Sequence, residues 1–73
     1  MTQRKAITIR FKKPRSLWIL DTDDTKERVG FLEGEMRSGV PTAFVLRGKE
    51  MFELLLSDGK RVLDIPYDSV EIL

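Results

Sequence analysis

The stretch that decides the fold is Met51-Phe52-Glu53-Leu54-Leu55-Leu56, then Ser57-Asp58-Gly59-Lys60, then Arg61-Val62-Leu63-Asp64-Ile65-Pro66-Tyr67 and Asp68-Ser69-Val70-Glu71-Ile72-Leu73. Two apolar runs meet at Asp58-Gly59, and a third short run follows Pro66. Glycine supplies the positive φ that a tight hairpin demands, so Val62 to Ile65 is expected to pair back on Met51 to Leu56. Pro66 offers no N–H to a ladder and therefore ends its strand or lies at an edge. Tyr67-Asp68-Ser69 makes a short turn, and Val70 to Leu73 closes the sheet. A small closed β-barrel ends in this way.

Toward the N-terminus the same punctuation continues. Arg47-Gly48-Lys49-Glu50 reads as a tight turn, Thr42 to Leu46 as a strand, and Ser38-Gly39-Val40-Pro41 as a turn. Residues 25–37 fork. As a helix, Val29, Leu32 and Met36 share a face; as a strand, Gly30 and Gly34 allow the bends that barrel closure needs, whereas each costs roughly 1 kcal/mol inside a helix. The glycines favour a bent strand. Asp21 to Thr25 has the residue types of Asx turns and helix N-caps. Leu17-Trp18-Ile19-Leu20 is a continuous apolar run that fits a strand buried on both faces. Ala6 to Phe11 alternates, with Ile7, Ile9 and Phe11 on one side and Thr8 and Arg10 on the other, the period of a half-buried strand. The fold expected is all-β: residues 1–73 as a single small closed barrel of five or six strands, with at most one short helix.

Composition bounds what such a molecule can do. A chain of 73 residues buries only about 60% of the surface its unfolded form exposes. Cysteine and histidine are both absent, which removes disulfides, thiolate nucleophiles, an imidazole base and the common zinc ligands. Catalysis would rest on carboxylates, lysines or Tyr67. No run approaches 18 apolar residues and the N-terminus lacks a signal-peptide core, so the expectation is a soluble, cytoplasmic chain with no membrane association. Charge is uneven. Six of the thirteen basic residues and none of the twelve acids lie in the first 20 residues.

With these elements in place, Phe52 to Leu73 resembles the end of an Sm-like or SH3-like barrel, and Val29-Gly30-Phe31-Leu32-Glu33-Gly34 is similar to the bent strand of Sm-like domains. That group includes the RNA chaperone Hfq and the C-terminal barrel of the ribosome maturation factor RimP. Hfq-like proteins bind uridine-rich RNA partly through a Lys-His pair near the final strand; here the matching stretch reads Pro66-Tyr67-Asp68-Ser69. The resemblance therefore implies the fold and not the RNA site.

Candidate functional residues are few. Arg10, Lys12, Lys13 and Arg15 close to Trp18 combine phosphate-binding cations with a stacking aromatic, as nucleic-acid-binding barrels do. The plainer reading puts Trp18 in the core between Leu17 and Ile19. Asp21, Asp23 and Asp24 superficially resemble the start of a calcium loop, but Lys26 and Leu32 stand where that loop needs Gly and Glu, so a polar turn is the better reading and no metal is expected. Tyr67 with Asp64 and Asp68 brings no base to a nucleophile, and Gly48-Lys49 lacks the spacing of a phosphate loop. No catalytic residue, cofactor or small-molecule substrate is expected. Two readings survive: a non-catalytic interaction module that docks on a protein partner or self-associates, and an RNA- or DNA-binding module using Arg10 to Arg15.

Overall fold

A computed structural model describes residues 5–46 and 49–73. Seven strands form: β1 (Ile7–Phe11), β2 (Arg15–Leu20), β3 (Lys26–Phe31), β4 (Met36–Leu46), β5 (Lys49–Leu55), β6 (Arg61–Pro66) and β7 (Val70–Ile72), with a single 3₁₀ turn at Tyr67–Ser69. They make one antiparallel sheet in the order β3-β2-β6-β5-β4-β1-β7. The all-β class is as expected from the alternation and turn residues. Among the described residues, however, the barrel is not closed, and there are seven strands rather than five or six. β3 and β7 are the two edges of the sheet, with no ladder between them among the described residues.

The sheet nevertheless curls on itself. Phe11 of β1 stacks on Phe31 of β3, ring centroids 4.6 Å apart and 13° from parallel, although four strands separate β1 from β3 in the sheet order. The turn at 32–35 bridges the same gap: Gly34 N donates to Phe11 O at 2.8 Å and Phe11 N to Glu35 O at 2.9 Å. Beneath lie Ile9, Leu54, Val62 and Ile65, all essentially inaccessible. Burial of each large apolar side chain contributes roughly 1.5–3 kcal/mol.

The long β4 joins the two halves. Its residues 36–39 pair with β1 and its residues from Val40 onward pair with β5. Ser38-Gly39-Val40-Pro41, expected as a turn, is therefore the middle of a strand. Gly39 permits this, since a Cβ there would lie 2.3 Å from the Leu55 carbonyl oxygen. Pro41, opposite Leu54, sits beside a register jump between Pro41 and Ala43, a bulge of the kind at which sheets accommodate proline. Residues 25–37 follow the strand reading in part: β3 ends at Phe31, Gly34 takes φ +87 in a turn, and β4 begins at Met36. The turn expected at 47–50 falls partly on Arg47 and Gly48, outside the described residues.

Two hairpins share one design. Leu56 N donates to Lys60 O at 2.8 Å and Gly59 N to Leu56 O at 3.0 Å, with Gly59 at φ +91. Likewise Asp21 N donates to Thr25 O at 2.8 Å and Asp24 N to Asp21 O at 3.1 Å, with Asp24 at φ 68. Both are three-residue loops whose last residue is left-handed. In each the middle aspartate caps the turn, Asp58 Oδ1 accepting from Lys60 N at 3.0 Å and Asp23 Oδ1 from Thr25 N at 3.1 Å.

Candidate functional site

β2 sets the site through its alternation. Leu17 is buried at 8% exposure and belongs to the core, so Trp18 projects to the opposite face, where it is 43% exposed. The run Leu17 to Leu20 is thus not buried on both faces. Trp18 pairs across the ladder with Arg28 of β3. The Arg28 guanidinium carbon lies 5.3 Å from the indole centroid, a cation–π distance. Arg28 Nε donates to Ser16 Oγ at 2.8 Å, which fixes that guanidinium on the face.

Neighbouring positions continue the same character. Leu20 pairs with Lys26 on one side and Arg61 on the other, so Lys26, Arg28 and Arg61 frame Trp18 and Leu20. Glu27, opposite Ile19, falls on the other face of β3 by the strand period. Gly30, opposite Ser16, leaves open space where a Cβ would stand. The face is basic and aromatic, and its floor is small.

The five residues singled out from the sequence do not form one patch. Arg10 lies on β1 with its guanidinium 2.6 Å from Glu71 Oε1 of β7. That hydrogen bond, and then the charge of Arg10, hold the Glu71 carboxyl below the usual carboxylate range. Arg15 is half-buried on the face of β2 opposite Trp18, and its Nε donates to the buried Ser69 Oγ at 2.8 Å. Lys12 and Lys13 are exposed in the bend between β1 and β2. Trp18 instead meets Arg28, with Lys26 and Arg61 close by in the ladder. A hairpin centred on Thr22-Asp23-Asp24 is the signal that finds them, because it places residue 28 across from residue 18.

The carboxylates at the other end of β2 serve the loops. Asp21 Oδ1 accepts from Thr22 N at 2.6 Å, and Asp21 Oδ2 lies 3.9 Å from Lys60 Nζ. Asp23 Oδ1 accepts from the Thr25 hydroxyl at 2.6 Å, which with the Thr25 N–H lowers its pKa. Among the described residues no cluster of three or more metal-ligating side chains is found. Tyr67 is half-buried, its ring tilted against Phe52 with centroids 4.7 Å apart. Among the described residues no helix is long and apolar enough to cross a membrane. Comparison with known proteins returned no match to a family model, a curated protein or a solved structure.

Proposed function

We propose that this chain is a non-catalytic binding module whose ligand is nucleic acid, taken on the outer face of β3, β2 and β6. One observation carries the reading: an exposed tryptophan stands on an open sheet with an arginine held over its ring, and two further cations flank Leu20, the next residue along the same face. Aromatic platforms bordered by cations suit bases and phosphates together. Lys12 and Lys13 are exposed in the bend that leads into β2 and are proposed as further phosphate contacts. Arg10 and Arg15 drop out of the contact set, since each is engaged by Glu71 or Ser69. A cytoplasmic setting belongs to the proposal and rests on the lack of cysteine. Kinship with Sm-like or SH3-like proteins belongs to it as well, on the pattern of the last strands alone.

The test is fluorescence anisotropy of labelled RNA and DNA at about 50 and 200 mM salt, a range over which phosphate contacts weaken measurably. Reversing Lys26, Arg28 and Arg61 to glutamate is expected to abolish binding, whereas Arg10→Glu leaves it largely intact. Absence of binding at the lower salt would sink the proposal.

A second reading, docking on a protein partner or self-association, is favoured by a different observation. β7 is a three-residue sheet edge, and its last residue Ile72 and the following Leu73 are 50% and 58% exposed. Unpaired edges with apolar side chains template further pairing. Light scattering across a hundredfold range of protein concentration separates this from a monomer.

A further inference from the structure

We infer that the face around Trp18 takes single-stranded rather than duplex nucleic acid, with one unstacked base against the indole and phosphates on Arg28, Lys26 and Arg61. The inference rests on the nucleic-acid reading above and narrows it to a ligand class. An indole projecting from a sheet stacks on a base through the base's flat side. In a duplex those sides are covered by neighbouring base pairs, and in a single strand they are available. Trp18 has ring surface to offer at 43% exposure, with Arg28 already against it. The bond from Arg28 Nε to Ser16 Oγ, 2.8 Å, holds the cation over the ring before any ligand arrives. Less side-chain freedom is then lost on binding.

Charge along β2 points the same way. Duplex DNA presents one phosphate per roughly 1.7 Å of axis, twice the density of one strand, and rewards broad basic surfaces. This face has three cations. At the Leu20 end Lys26 and Arg61 stand just before Asp21, Asp23 and Asp24 of the hairpin loop, which repel phosphate beyond them, and Lys12 and Lys13 are exposed in the bend at the other end. A bound strand therefore runs in from the Lys12-Lys13 loop and ends short of the acidic hairpin. Six residues of β2 span roughly 20 Å, room for a site at the short end of the 4–16 nucleotide range of small barrels.

Trp18 is the one tryptophan of the chain, so its emission reports on this face alone. The full chain is titrated with oligothymidylate and oligouridylate of about 8 nucleotides, and with a duplex of equal length, at about 50 mM salt. Emission is followed alongside the anisotropy of labelled copies. The expected result is saturable quenching by the single strands and weak duplex binding. Trp18→Ala, with its fold checked by circular dichroism, loses on the order of tenfold or more in single-strand affinity, and Trp18→Phe retains most of it. Duplex bound as tightly as single strand with Trp18 emission unchanged, or Trp18→Ala binding like the unaltered chain, would overturn the inference and leave the broader nucleic-acid reading standing. Failure to bind any of the three would overturn both.

Discussion

Asp64 stands in the left-handed region at φ 51, inside β6. The β5–β6 register passes from Phe52↔Ile65 to Leu54↔Val62, so Leu63 and Asp64 together oppose Glu53 in a bulge. Aspartate tolerates that conformation better than most residues, and a β-branched side chain does not. Asp64→Val is expected to lower stability by about 1–2 kcal/mol and Asp64→Gly to leave it near its starting value, read from urea midpoints. Gly39 is the harsher case, because the atom a Cβ would meet is the backbone oxygen of Leu55 and no rotamer change can clear it. Gly39→Ala should cost about 3 kcal/mol or more, and a shift under about 1 kcal/mol would mean that β4 can move away from β5. The Arg10–Glu71 pair makes a pH prediction. Its carboxyl titrates lower in the folded chain than in the unfolded one, so its contribution is complete above the unfolded value and fades as pH falls through the folded value. Both side chains are about half exposed, which keeps the effect small. Arg10→Gln should flatten the acid limb of thermal melts between about pH 5 and 3, and an identical limb would show the pair to be idle.

Elements differ in how openly the sequence displays them. β1 and the β5–β6 hairpin are legible, because Ile7, Ile9 and Phe11 alternate and Asp58-Gly59 marks the reversal within a few residues. β2 is opaque, since four consecutive apolar residues carry no period and leave open which of them faces inward. β3 and β4 are obscured for another reason. Gly30 and Gly34 read alike in the sequence, yet Gly34 is left-handed in a turn and Gly30 lies flat in a strand. Only the β2–β3 hairpin relates Arg28 and Lys26 to Trp18; along the chain the basic residues nearest Trp18 are Lys12, Lys13 and Arg15. Adjacent positions on β2 test the alternation directly. Leu17→Ala should cost about 2–4 kcal/mol through a cavity in the core, while Trp18→Ala should change stability by less than about 1 kcal/mol. Equal losses at both positions, measured by urea unfolding, would contradict the assignment of Trp18 to the outer face.

Charge that is segregated along the chain is partly cross-neutralised in the folded molecule. Arg10 of the basic segment meets Glu71 near the far end of the chain, and Lys60 approaches Asp21 across the two hairpins. Among the described residues, the ion pairs found leave out Lys12, Lys13, Lys26, Arg28 and Arg61, although the charge of Lys12 also reaches Glu71. These five can be spent on a polyanion while the net charge of +1 adds little long-range attraction. The number engaged is measurable, because log affinity for a single strand falls with log salt at a slope of about −0.7 per phosphate contacted. Three contacts, from Lys26, Arg28 and Arg61, give a slope of about −2 and a loss of roughly twentyfold between about 50 and 200 mM salt. Adding Lys12 and Lys13 gives about −3.5 and a loss on the order of a hundredfold. Lys12→Gln with Lys13→Gln therefore discriminates: a slope that falls by about 1.4 places the β1–β2 loop in the site. An unchanged slope confines the site to the three strands, and a slope near zero at weak affinity would show that binding does not run through phosphates at all.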